Sequence, residues 1–118
     1  TIGLAQDAVK PSVEQVQFFE SKIRPVLIEH CYKCHSTESG TVRGGLGVDH
    51  REALFSGGAS GPAVVPGNLE ESTLWNAINY VDFEMPPNRK LPASIIADFK
   101  TWIEMGAPDP RVNEGVVV

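Results

Sequence analysis

The only two cysteines of the chain lie in the stretch EHCYKCHS, at residues 29–36. Two residues separate Cys31 from Cys34, and His35 follows directly. This spacing is typical of covalent haem attachment, because two thioether bonds join the thiols to one edge of the porphyrin and the next imidazole meets the iron from that side. The motif therefore predicts one covalent haem c, with His35 as the proximal iron ligand.

Other chemistries of paired cysteines fit this sequence less well. A disulfide across so short a loop stabilises little, because the effect grows with loop length. A thioredoxin-like pair needs its CxxC at the start of a helix in a βαβ setting. A structural zinc site needs four ligands, so Cys31, Cys34 and His35 would have to recruit His30 or His50. Chance proximity of two buried cysteines is the plain structural alternative.

The iron's second axial position has four candidate ligands. Met85 is favoured, because the two prolines after it stiffen its loop and leave the thioether little conformational freedom to lose. Its alternative role is that of a methionine filling a gap in the core. The helical spacing around Met105 predicts ordinary core packing, and His30, directly before Cys31, cannot easily reach the opposite face of the haem. His50 lies in a distant loop and remains the rival ligand.

The first predicted helix leads directly into the cysteine motif. SVEQ is a capping-box pattern, in which Ser12 and Gln15 satisfy each other's backbone N–H groups at the helix start. Pro25 is expected to kink this helix or to start its next segment. The pattern runs on to Cys31, so the motif should lie at the C-terminal end of a helix. One apolar stripe at helical spacing supports this prediction: Val16, Phe19, Ile23, Val26 and Leu27.

Three further helices are predicted downstream, separated by loops rich in Gly and Pro. A short one has Asp49 as its cap, the next has Asn68 as its cap, and the last starts at Pro92 and stops at Gly106. No strand pair is predicted. The expected fold class is mostly α, with three main helices, a short one and long loops.

Length and charge narrow the possible functions. The 118 residues suffice for a single domain, and the net charge of −5 argues against nucleic acid as a partner. No apolar run approaches the ~20 residues needed to span a bilayer. We expect residues 1–11 to form a flexible arm, residues 12–109 the domain, and residues 110–118 a tail or the start of a linker. A start at Thr1 suggests a removed leader or excision from a longer protein.

Five stretches of the chain together resemble the planctomycete-type cytochrome c domain, over about residues 16–111. A long insert between Ser36 and Gly61 departs from the compact class I pattern. The glycine-rich middle and the MPP sequence, in this order, are more specific than the CxxCH motif alone. The stretches are FFESKIRPVLIEHCYKCHS, GGLGVDHREALFSGG, SGPAVVPGNLEESTLWNAI, EMPPNRKLP and WIEMGAPDPR.

The resemblance implies a class I cytochrome c-like fold around one covalent haem. It implies attachment through Cys31 and Cys34, with His35 as the proximal ligand and Met85 as the distal one. It also implies that the segment with Pro62 packs on the His35 side. Such domains usually lie near the N-terminus of large exported proteins, so a periplasmic or otherwise exported location is expected.

The expected function is electron transfer to a redox partner protein or domain, without enzymatic activity of the module itself. Two firm axial ligands leave no coordination position for a substrate. The alternatives are a haem enzyme or gas or redox sensor with a labile sixth site, and a docking domain in which the haem is mainly structural. Candidates to neutralise the haem propionates, or else plain surface charges, are Arg43, Arg51, Arg89 and Lys90.

Overall fold

The first helical run extends from residue 13 to residue 30 and contains one wide turn. The computed structural model describes residues 11–36, 40–42 and 45–111 of the chain. Helix α1 spans Val13–Phe18, a π-helical turn spans Phe19–Ile23, and helix α2 spans Arg24–His30. The predicted capping box is confirmed: the Gln15 N–H donates to Ser12 Oγ at 3.1 Å, and the Ser12 N–H donates to Gln15 Oε1 at 2.9 Å.

The wide turn accommodates Pro25, which lies in the first turn of α2. Proline cannot donate a backbone hydrogen bond, and its ring clashes with the carbonyl four residues earlier. The N–H of Arg24 instead donates to the carbonyl of Phe19, five residues back. Both Phe19 and Ile23 in this turn are fully buried. The predicted interruption at Pro25 is thus confirmed as the start of a new helical segment.

Helix α3 spans Arg51–Ser56 and begins one residue later than predicted. Its N-cap is His50, whose backbone is extended, and it is not Asp49. The Asp49 carboxylate is buried, with Oδ2 lying 3.7 Å from Nε2 of His50. The prediction of Asp49 as the cap is therefore wrong, because its side chain is engaged beside the helix.

Helix α4 spans Thr73–Ile78, and its N-cap is Ser72 where Asn68 was predicted. Asn68 accepts instead from the N–H of Glu71, at 3.1 Å, in a turn that precedes the helix. The hydroxyl of Ser72 donates to the Asn68 carbonyl at 2.8 Å and fixes this turn against the helix start. Asn68 therefore does cap a turn, but this turn is separate from the start of α4.

Helix α5 spans Ala93–Glu104 and packs its buried face against the π-helical turn. The ring of Trp102 lies 5.7 Å from that of Phe19 and 6.1 Å from that of Phe99, edge-on to the latter. The indole N–H of Trp102 donates to the carbonyl of Pro108 at 2.7 Å, so this buried polar group is satisfied. The centre of the core is therefore aromatic.

Two very short strands connect the cysteine motif to the following loop. Strand β1 (His35–Ser36) pairs antiparallel with β2 (Thr41–Val42), with His35 opposite Val42. The prediction of no strand pair is wrong, because a strand of two residues is too short to show an alternating pattern.

The described part of the chain is mostly helical, with four helical segments, as predicted. They cover residues 13–30, 51–56, 73–78 and 93–104. Among the described residues, none of the helices has both the length and the apolar character that crossing a membrane requires. The predicted arm lies outside the described residues except for Pro11, and the tail does so beyond Arg111. The division into arm, domain and tail stays a prediction.

Candidate functional site

The attachment segment, residues 31–35, turns back on itself directly after α2. The N–H of Cys31 donates to the carbonyl of Leu27 at 2.9 Å and continues the helical pattern by one residue. The N–H groups of Cys34 and His35 then donate to the carbonyl of Cys31 at 3.2 and 3.0 Å. These bonds fix a tight turn at the C-terminal end of the helix, as the sequence predicted.

A cavity of about 630 Å³ lies against this turn. Cys31, Cys34 and His35 all line it, and so does Met85 from the loop between α4 and α5. The volume falls within the range of ~300–1,000 Å³ that is usual for cofactor sites. The remaining wall is mostly apolar and includes Val26, Leu46, Leu74, Ile78, Leu91 and Phe99.

Two hydrogen bonds hold the Met85 loop, residues 80–91, and one of them connects it to α4. The N–H of Met85 donates to the carbonyl of Ala77 at 3.1 Å. The hydroxyl of Tyr80 donates to the carbonyl of Pro86 at 2.6 Å. The Met85 side chain is half-buried. One backbone bond and one side-chain bond therefore hold the backbone around Met85, in a loop that has no regular structure.

The rival axial ligands differ in their access to the cavity. His50 caps α3 and is not among the lining residues, and neither is Met105. Met105 is the C-cap of α5 and 36% exposed, so its predicted core packing is wrong. The last turn of that helix faces solvent at this position. His30 does line the cavity, with its imidazole 3.8 Å from the carboxylate of Glu29.

Two further predicted site residues lie outside the lining of the cavity. The carbonyl of Pro62 accepts from the N–H and the hydroxyl of Thr73, at 3.2 and 2.9 Å, while the neighbouring Gly61 lines the wall. The guanidinium of Arg51 lies 5.7 Å from the centroid of the Phe55 ring. The roles predicted for Pro62 and Arg51 stay predictions.

Two other basic candidates, Arg89 and Lys90, are surface residues next to each other in the chain. Arg89 and Lys90 are exposed in the Met85 loop, and the Lys90 ammonium lies 5.9 Å from the centroid of the Tyr80 ring. Arg43 lies outside the described residues. The structure thus gives no preference for one of these side chains as a propionate partner.

The donor set of the cavity fits a covalently held haem. Burial raises the pKa of Cys31 to about 12, and the neighbouring Cys34 adds to this shift. A structural zinc site would require four ligands. In the ranges that the structure describes, no three His, Cys, Asp or Glu side chains come together to hold a metal ion. Two thiols, an imidazole and a thioether around an apolar space are the groups that a c-type haem uses.

A buried ion pair at the end of the domain was not predicted from the sequence. The Arg111 guanidinium lies 2.7 Å from the Asp109 carboxylate, and both side chains are buried. Burial acts to lower the pKa of Arg111, but the hydrogen-bonded Asp109 outweighs it and the pKa is raised. The Tyr32 hydroxyl beside this pair has a raised pKa, mainly through burial, which Arg111 partly offsets. Both residues lie beyond the last helix, where no periodic pattern distinguishes their charges from those of surface residues.

The mostly helical fold and the donor set of the cavity fit a c-type cytochrome, and a family comparison shows this class directly. The sequence model of the Planctomycete cytochrome C family matches residues 31–89, half of the chain. The chain belongs to this family, whose haem is bound through the CxxC cysteines, here Cys31 and Cys34. The match also includes His35 and Met85 but ends before α5. No curated protein and no solved structure matches the chain.

Proposed function

We propose that the protein is an electron-transfer module with a class I cytochrome c-like fold around one covalent haem. In this proposal Cys31 and Cys34 form the thioethers, His35 is the proximal ligand and Met85 the distal one. The observation that supports it is the single cavity that these four side chains line, although Met85 lies far from the others in sequence.

The chain's own residues determine what the haem can do. When bound, the haem supplies reversible one-electron transfer at its iron. His35 and Met85 would occupy both axial positions and leave none for a substrate, which favours electron transfer over catalysis. The apolar wall excludes water, and a neutral thioether favours the ferrous state, so the reduction potential is raised.

The mouth of the cavity offers a route to a partner protein. Phe83 lines the cavity and is 50% exposed, and Ala59 and Ser60 are also both lining and exposed. A haem edge near these residues would lie close to solvent, where a redox partner protein or domain can approach it. Because c-type cytochromes are generally exported, a periplasmic or otherwise exported location is part of the proposal.

Absorption spectra of the holo-protein in both redox states test the ligation. We expect a far-red sulfur-to-iron charge-transfer band in the oxidised protein, which Met85→Ala removes. His50→Ala is the control and should leave the band unchanged. A band that disappears in His50→Ala, and not in Met85→Ala, would identify a bis-histidine iron. Rapid carbon monoxide binding by the reduced unmodified protein would instead favour a haem enzyme or sensor.

A further inference from the structure

A buried arginine, Arg111, forms a hydrogen bond to Tyr32 in the attachment segment. Arg111 is 2% exposed, and its Nε and Nη2 donate to both oxygens of Asp109, at 2.9 and 2.7 Å. Its Nη1 donates to the carbonyl of Val48 at 2.8 Å and to the hydroxyl of Tyr32 at 3.3 Å. The guanidinium carbon lies 5.1 Å from the centroid of the Phe19 ring. We refer to Asp109 and Arg111 as the clamp.

The two acceptors of Nη1, the carbonyl of Val48 and the side-chain hydroxyl of Tyr32, belong to residues whose backbone also forms hydrogen bonds next to His35. Tyr32 lies between the two cysteines, and its carbonyl accepts from the hydroxyl of Ser36 at 2.7 Å. Val48 donates its N–H to the carbonyl of His35 at 2.6 Å. Arg111 is therefore connected to His35 through one residue and to the attachment turn through another.

A contribution to the overall folding stability does not explain why this ion pair is buried. Burying an ion pair costs desolvation energy that often cancels the attraction, and apolar side chains of similar volume can serve equally well. What the pair does provide is direction, because Asp109 orients the planar guanidinium so that its remaining donors point at Val48 and Tyr32. A lysine could pair with Asp109 but has no fork with which to reach both acceptors.

We propose that Arg111, oriented by Asp109, is a positioning residue for the attachment segment, holding the turn that carries Cys31, Cys34 and His35 against the cavity. The inference rests on the proposed function for the roles of these three residues. Asp109 and Arg111 lie outside the family match, which ends at residue 89. The functional unit then includes the chain up to Arg111.

Hydrogen–deuterium exchange on the holo-protein tests the clamp, with Arg111→Lys as the main variant. We expect exchange in the attachment segment and at Val48 to accelerate about tenfold, the loss expected for hydrogen bonds to a charged group. Exchange in α5 should stay unchanged, because a loss of global stability would accelerate both regions together. Lys100→Ala, which breaks the exposed pair with Glu104, is the control and should change neither region.

Tyr32→Phe removes one acceptor and leaves the ion pair intact, so it covers the case in which Arg111→Lys fails to fold. It should accelerate exchange in the attachment segment about threefold to tenfold. The reduction potential should shift in both variants, since His35 changes its orientation, and should stay constant in Lys100→Ala. Unchanged exchange in the segment, or uniform acceleration across the protein, would overturn the inference. Protein purified without covalent haem would contradict the proposed function, while the exchange comparison still decides on the clamp.

Discussion

The hydroxyl of Tyr80 donates a 2.6 Å hydrogen bond to the carbonyl of Pro86, the residue directly after Met85. Tyr80 lies just beyond the end of α4, with φ at +64°, a conformation that few non-glycine residues adopt. The bond closes a short loop over six residues and fixes the backbone on the C-terminal side of Met85. The Met85 N–H, bonded to Ala77, fixes the other side.

Removing this hydroxyl should loosen the proposed distal ligand. Loss of one hydrogen bond worth about 1 kcal/mol raises the open fraction of a loop about fivefold. We therefore expect the reduced Tyr80→Phe protein to bind carbon monoxide about fivefold faster than the unmodified protein, as measured by flash photolysis. Ser21→Ala, which removes a similar hydroxyl-to-carbonyl bond in the first helical run, should leave the rate unchanged. Equal rates in Tyr80→Phe and Ser21→Ala would show that the bond does not restrain Met85.

Covalent attachment should depend on both cysteines. Cys31→Ser or Cys34→Ser should each impair it, and the double variant should abolish it, because each thiol forms one thioether. Extraction with acidified solvent, followed by haem staining of the denatured chain, measures the bound fraction. Haem that stays on the double variant through this treatment would contradict the assignment.

Holo-protein formation should require an export-side maturation system. Thioether formation needs reduced cysteines together with haem. The chain has only two cysteines, and both are assigned to the haem, so no disulfide pair is needed in the compartment to which the protein is exported. Expression with an export signal and maturation genes should give haem-loaded protein. Expression in a cytoplasm without them should give only apo-protein, and a loaded cytoplasmic product would count against the prediction.

Gly57→Ala should be far more destabilising than Gly67→Ala, although both glycines have φ near +75°. A Cβ at position 57 would clash with the carbonyl oxygen of Gly61, whereas nothing lies within 4 Å of one at position 67. Urea unfolding should give a loss of about 1 kcal/mol for Gly67→Ala and ~3 kcal/mol or more for Gly57→Ala. Since Gly61 lines the cavity, attachment of haem should also decrease in Gly57→Ala only. Similar losses for the two variants would show that the close approach is relieved cheaply.

Met105 and Ile103 should respond differently to truncation, although both lie at the end of α5. Met105 is 36% exposed, so Met105→Ala should change the free energy of unfolding by only about 0.5 kcal/mol. Ile103 is fully buried, and Ile103→Ala should cost ~2–5 kcal/mol. Met105→Ala should leave the far-red band intact. A large loss of stability in Met105→Ala would show that this methionine packs more deeply in solution.

Local patterns in the sequence determined the attachment motif, the capping box at Ser12 and the segment boundary at Pro25. These features depend on neighbours within about four residues, so type and spacing suffice to predict them. The helix starts at His50 and Ser72 were misplaced, because a capping residue close by can be engaged elsewhere. The carboxylate of Asp49 lies 3.7 Å from the imidazole of His50, and Asn68 caps a separate turn.

Only the tertiary structure decided which distant residues share the cavity. It brought Met85 to the wall that holds the two cysteines, and it left His50 outside the lining. It also brought Arg111 into hydrogen-bond contact with Tyr32, which lies 79 residues earlier in the chain. Contacts between residues so far apart in sequence follow from how the helices pack around the aromatic core. The periodicity of one segment does not show which distant segment it will contact.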